Sequence, residues 1–521
     1  MFQALRQPER ELWPYDSAFD AFSIDDVRLA DAPRASRNIR EEPPFMSKTK
    51  PPSRWRCEVR DLRSLVEAAW KPDIKRPLSL AAALTAAAGV AQAAPQVAAP
   101  SSDRHAPIVR QSRHALTGAD TDYRPLISSI GEARFVLLGE STHGTEDFYA
   151  ERARISEQLV QERGFRAIIL EADGPEIERV DRYVRGSGED ESGNAALADI
   201  KRWPTWMWRN TAFLGFVERL RSWNLARPPQ QRVGVYGMDV NSLFESIDGT
   251  VAFLDAHDPA GAAFARAQFR CFRPYRRDAA AYGRAARRAD RSCQDEAAAV
   301  LAQARSWSAP GEAEAAETQF AALRNAAAVV AGEAYFRAVH AGSYSWNIRD
   351  EAMTDAIQDV VDHLASLSGE PGKVIVWAHN THVGDARATD SARRGEVNVG
   401  QLLRERHGQD VYSVGFLTFQ GAVTAAPEWD RPPRQFVLPP ALEGSDAARL
   451  HGLGLDRSLL VLRSHDLLQD ALRPTAPQRA VGVVYDRKNE HQAHYIEASL
   501  SEQFDALVYL DKTKALTPLP H

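Results

Sequence analysis

The 521-residue sequence predicts an α/β fold: a mostly parallel central sheet flanked by helices, with an additional helical subdomain over the sheet. Three observations lead there. Short apolar runs recur, several ending on a glycine or an ionisable residue, which is the pattern of parallel strands buried on both faces. Helical stretches with an apolar face separate them. The interval from Phe244 to His340 is rich in Ala, Arg and Glu and carries no strand pattern.

Taken in order, residues 1–70 mix Pro, Arg and Asp with scattered aromatics and lack sustained periodicity. They are expected to be poorly ordered, or an N-terminal extension upstream of the true translation start. Residues 71–105 hold a signal-peptide-like segment and a linker. Lys75 and Arg76 precede an apolar run from Leu78 to Val90, and Ala91-Gln92-Ala93 follows as an A-x-A site. Such a segment should open the chain, and a start at Met46 or nearer Lys71 places it better. If it is a signal peptide the protein is exported, periplasmic or secreted; otherwise it is cytoplasmic. The α/β domain is expected over 106–521, with a helical insertion at about 245–345.

Within that domain, Arg134 to Leu138 is a continuous apolar run closing on Gly139. Thr145 can cap a helix with Glu146 and Asp147 in its first turn, favourable beside the helix dipole. Phe148, Ile155 and Leu159 give that helix an inward face, and Gly164 ends it. Ala167 to Leu170 is the next strand and closes on Glu171. Later runs are Arg232–Tyr236, Lys373–Trp377, Val411–Phe416, Ala480–Val484 and Ala506–Tyr509. A helix opening at Tyr344 carries an apolar stripe of Met353, Ile357, Val360, Val361 and Leu364. Carried backward, that stripe takes in Trp346 and either Arg349 or Asp350. A buried charge there needs a partner. Arg349 either braces the fold through Asp350 or Glu171, or meets a substrate carbonyl or carboxylate.

Composition narrows the function. Hydrophobic residues at 44% and charged residues at 26% describe an ordinary globular protein, and a net charge of −6 argues against a nucleic-acid binder. No run approaches the roughly 20 apolar residues of a spanning helix, so stable membrane insertion is not expected. The three cysteines form no CxxC pair; Cys271 and Cys293 either pair in an oxidising compartment or remain reduced.

Ligands of open α/β sheets bind beyond the carboxyl ends of the strands. Four strands deliver ionisable groups to that edge: Glu140 and His143 after the first, Glu171 at the end of the second, Asp239 after the third, His379 and His382 after the fourth. A histidine beside a carboxylate can take a proton from water near neutral pH. A second histidine can donate to a developing oxyanion. Ser141 lacks the G-x-S-x-G elbow of a nucleophilic serine. His379-x-x-His382 with His143, Glu140 and Glu171 also supplies enough nitrogen and oxygen donors for zinc or iron, although no HExxH helix is present.

Leu138-Gly-Glu-Ser-Thr-His-Gly144, Leu170-Glu-Ala-Asp173, Tyr344-Ser-Trp-Asn-Ile-Arg-Asp350 and Trp377-Ala-His-Asn-Thr-His382 together resemble the erythromycin esterase family over about residues 110–515. The resemblance implies a deep cleft beneath the helical subdomain, and water attack on an ester or lactone with no covalent enzyme intermediate, metal or cofactor. It implies His143 as general base and Glu140 and Glu171 as the carboxylates that orient and polarise water. It further implies His379 as a catalytic residue near the carbonyl, with His382, Arg349, Asn380, Asp239 and Trp346 contacting a small-molecule substrate. Antibiotic resistance is one possible role. The helical region and export-like segment fit a housekeeping hydrolase better than a cytoplasmic resistance enzyme. The alternatives are a metal-dependent hydrolase using the same cluster and a non-catalytic small-ligand-binding protein.

Overall fold

A computed structural model describes residues 104–288, 292–307, 313–339 and 345–520. The expectations for residues 1–70 and for the segment at 75–94 lie outside the described residues. Among the described residues there are eleven strands: β1 (Arg113–Ala115), β2 (Phe135–Leu138), β3 (Ala167–Asp173), β4 (Gly234–Asp239), β5 (Val374–Trp377), β6 (Val411–Ala425), β7 (Arg434–Leu438), β8 (Arg457–Val461), β9 (Ala476–Arg479), β10 (Tyr495–Ala498) and β11 (Ala506–Thr513). Nine form one sheet in the order β1-β8-β11-β6-β2-β5-β3-β4, with β7 paired to the far half of β6; β9 and β10 make a separate ladder.

The six neighbouring strands from β11 to β4 run parallel, while the pairings of β8 with β11, β1 with β8 and β7 with β6 are antiparallel. The central sheet is therefore mostly parallel, as expected. The physical reason is burial on both faces: every residue of β2 and β5 is buried. On one face, Leu138, Ile168 and Trp377 pack with Phe148, Ile177 and Phe216 of the helices Glu146–Arg163, Gly174–Arg185 and Thr211–Leu225. On the other, Leu137, Ile169 and Val376 pack with Met353, Ile357 and Val361 of the helix Ser345–Ser368.

The ladder aligns strand ends. Leu138 of β2 lies opposite Trp377 of β5, Trp377 opposite Leu170 of β3, and Asp173 opposite Asp239 of β4. The loops that follow therefore leave the sheet side by side.

The chain from Leu243 to Val339 forms the helices Leu243–His257, Pro259–Phe269, Ala279–Arg288, Gln294–Ala304 and Ala313–Val339. They bury their own core of Phe244, Leu254, Phe269, Tyr282 and Val329. The last helix passes the carboxyl end of β4, where a Cβ on Gly332 would lie 3.0 Å from the Val240 carbonyl. The sulfurs of Cys271 and Cys293 are bonded, with Cα atoms 5.8 Å apart.

Two local readings are corrected. Residues Ala480–Val484 are not a strand of the sheet. The ladder strand ends at Arg479, and Val481 pairs with the loop after β2, its N–H donating to the Ser141 carbonyl and its own carbonyl accepting from His143 N–H. Thr145 occupies the N-cap position but makes no capping bond, because its hydroxyl bonds the Thr142 hydroxyl instead. Gly164 does close that helix, at a left-handed φ of 72°. The edge strands β1 and β7 gave no sequence signal, since most of their side chains are exposed.

Candidate active site

The loops after β2 and β5 meet at one point. His143 Nδ1 lies 2.9 Å from Glu140 Oε1, and Glu140 Oε2 lies 2.7 Å from Arg152 Nη2. Arg152 is buried, its guanidinium 4.4 Å from the Tyr149 ring centroid and 4.8 Å from that of Trp377. Both carboxylate oxygens are thus directed, and the His143 ring is held by a fixed carboxylate. The His143 ring packs 4.9 Å from that of His379.

His379 caps the short helix Asn380–Val383, its Nδ1 accepting from the Thr381 backbone N–H at 3.3 Å. That bond places the ring proton on Nε2. Nε2 is buried, and the Ser141 backbone carbonyl is the polar group beside it. Burial, and then His143 beside it, hold the His379 pKa well below its usual value, so the ring is neutral.

A second group lies beside the first. Arg349 Nε and Nη2 donate to the two oxygens of Asp239 at 2.9 and 2.7 Å, and Nη2 also reaches Glu171 Oε1 at 2.9 Å. The other oxygen of Glu171 accepts from His379 N–H at 2.9 Å. His382 Nδ1 lies 2.9 Å from Asp350 Oδ1, while Nε2 lies 3.0 Å from Arg349 Nη1 and 3.3 Å from Glu171 Oε1. A neutral His382 would accept from Arg349, whereas an imidazolium would donate to Glu171. Asp350 at Nδ1 and Glu171 at Nε2 favour the imidazolium. Although burial opposes it, Asp350 and Glu171 raise the His382 pKa to about 10. Burial likewise pushes the Glu171 carboxyl up, but His382, His143 and Arg349 outweigh it and hold it well below the carboxylate range. Trp346 stacks on His382 with centroids 4.5 Å apart and planes 8° apart, and donates its indole N–H to the Val397 carbonyl.

All nine residues singled out in the sequence therefore fall in one region, though not on equal terms. Glu140, His143 and His379 surround a common point. Glu171 joins that point to the Arg349 group. Asp239 and Arg349 pair with each other, and through Glu171 Arg349 takes part in bracing the site. Asn380 was expected to contact substrate, but both ends of its amide bond the backbone of Phe416, tying the loop to β6. Ser141 Oγ is buried with no hydrogen-bond partner, so no base activates it. Among the described residues, no three or more His, Cys, Asp or Glu side chains are placed to hold a metal ion. The imidazole nitrogens of His382 face Asp350, Arg349 and Glu171 instead.

Two residues were missed. Arg152 sits in the inward stripe of its helix with Phe148, Ile155 and Leu159, and a lone arginine there was a readable signal. Asp350 was one of two alternatives, with Arg349, for the inward face, but its partner, His382, lies 32 residues away and no spacing rule points to it.

Solved structures share this architecture. A succinoglycan biosynthesis protein matches with a TM-score of 0.65 at 19% identity, covering 79% of this chain and 97% of that one. A Bacillus cereus protein matches with a TM-score of 0.66 at 20% identity, covering 80% and 99%. A mutant of the erythromycin esterase EreC, in its open conformation, matches with a TM-score of 0.52 at 18% identity, covering 76% and 94%. At these identities the likeness is one of fold. The family assignment rests on sequence: the erythromycin esterase family model matches residues 160–513, well over half of the chain, beginning after the Glu140–His143 loop. On that match, the chain belongs to the erythromycin esterase family, whose activity at family level is ester hydrolysis.

Proposed function

We propose that this protein hydrolyses an ester or lactone by water attack with His143 as general base. The observation that carries the reading is the clamped pair: Glu140 accepts from His143 Nδ1 at 2.9 Å while Arg152 holds its second oxygen. Fixing the proton on Nδ1 makes Nε2 the basic nitrogen. As water oxygen bonds the acyl carbon, its proton passes to His143 Nε2 and the carbonyl π pair moves onto oxygen. His379 Nε2–H donates to that oxyanion. Collapse re-forms the carbonyl and breaks the C–O bond. The departing alkoxide takes the proton from His143, leaving acid, alcohol and the enzyme as it began. Glu171 and Arg349 keep the His379 and His382 loop in register with β3 and β4.

The test is a panel of ester, lactone and peptide substrates run in parallel on wild type and His143→Ala. Turnover should fall by about 10²–10⁴ for the substrate that wild type accepts, with circular dichroism unchanged and no effect of chelators. Substantial turnover remaining in a folded variant sinks the proposal.

Export belongs to the same reading. The Lys75–Ala93 order supports it, and so does the bonded Cys271–Cys293 pair, since such pairs persist in oxidising compartments. N-terminal sequencing of native protein should find a start at Ala94; an unprocessed N-terminus removes it.

A further inference from the structure

A cavity of about 1160 Å³ runs beside β4, lined from Arg166 and Lys373, at the start of the adjacent strands, to Asp239 at the carboxyl end of β4. This exceeds the 300–1,000 Å³ typical of small-ligand pockets. β4 is the edge of the sheet, and six residues make it roughly 20 Å long. The cavity is therefore elongated.

Its two parts differ in chemistry. The wall facing β4 carries Phe253, Trp307, Phe320 and Leu364, and Leu367 keeps 45% of its surface exposed beside them. The foot is cationic. Arg166, Arg182 and Arg232 line it, and Arg166 and Arg232 spend hydrogen bonds on the Gln230, Arg227 and Arg185 carbonyls rather than on carboxylates. Of the carboxylates lining the cavity, Asp181 and Glu317 both pair with Arg185, at 2.8 and 3.2 Å, Asp239 pairs with Arg349, and Glu178 accepts from Asn325 Nδ2; Glu370 lines it as well. Burial, and then the Arg185 charge, pull the Arg166 pKa down, as expected of a half-buried cation facing another cation. An anion at Arg166 would relieve that repulsion, and guanidinium recognises carboxylate well.

The geometry points to a binding site, its foot at the opposite end of the strands from the His143 centre, for a medium-chain anionic amphiphile: a fatty carboxylate with its head at Arg166 and its tail along β4.

The test is calorimetric titration of the full chain with dodecanoate below its micelle concentration. Saturable one-to-one binding is expected, weakened about tenfold or more by Arg166→Ala and also by Leu367→Glu, an exposed position where a charge should not disturb folding. Dodecyltrimethylammonium, with the same tail and the opposite head, should not bind saturably. Hydrolysis of a small ester should be unchanged in Arg166→Ala, so loss of dodecanoate binding is read independently of the His143 chemistry. Absence of saturable binding overturns the inference. So does equal binding of the cationic amphiphile, or an affinity that neither substitution changes.

Discussion

Arg152 and His382 carry charges that the protein interior tolerates only because of their partners. Removing one member of a buried ion pair costs about 3–5 kcal/mol, since the other is left uncompensated. Arg152→Met should therefore destabilise the fold by about that much in urea denaturation, and adding Glu140→Gln should recover part of the loss. A cost near zero would show that Glu140 does not depend on the guanidinium. His382 gives a pH signature. Its folded pKa of about 10 stands above the unfolded value of about 6.5, so the stabilisation it contributes is complete below pH 6.5 and is lost as pH rises toward 10. Glu171 works in the other direction. Its folded pKa lies below the unfolded value, so its contribution is present above about pH 4.5 and is lost in acid. Denaturant midpoints measured across this range should show the gap between wild type and His382→Gln narrowing as pH approaches 10. A constant gap would mean that His382 is neutral in the fold.

At the scale of elements, the site depends on two close approaches of backbone. A Cβ on Gly144 would lie 1.7 Å from the Thr424 carbonyl of β6, and one on Gly139 would lie 2.0 Å from Asn380 Oδ1. Both glycines flank the Glu140–His143 turn, so the turn is seated directly on β6 and on the β5 loop. Gly144→Ala must push backbone against backbone, and should lower both the melting temperature and turnover. Gly139→Ala meets a side chain that can rotate, so it should cost less stability while still impairing turnover, because Asn380 loses its bonds to Phe416. Thermal melts beside ester kinetics separate the two. Equal behaviour of the variants would contradict this account.

For the whole molecule, the disulfide links residues 22 positions apart within the helical region. Closing a loop of that size is worth about 3 kcal/mol in the chain-entropy account. Cys271→Ser should therefore cost up to about that amount, read by denaturation, with little change in turnover on a small ester. Mass measurement under alkylation should find Cys271 and Cys293 unlabelled until the protein is reduced; labelling without reductant would place them as free thiols.

The parallel sheet, the position of its carboxyl edge and the identity of most groups on that edge were legible in the chain. Strands buried on both faces must be written almost wholly in apolar residues, and each polar residue that ends such a run stands out. Hence Glu140, His143, Glu171, Asp239, His379 and His382 could be read from local pattern alone. The division of labour among them could not. Whether Arg349 meets substrate or Asp239, whether His382 is charged through Asp350, and whether Asn380 faces the cleft or Phe416 depend on contacts between segments tens to hundreds of residues apart. Val481 shows the same limit: a strand-like run pairs with a loop because packing put the Ser141 carbonyl within its reach. Sequence settled which chemical groups reach the edge of the sheet, because burial writes periodicity into the chain. Tertiary structure alone decided which are spent on one another and which are left to act, because pairing of buried charges is fixed by distance in space.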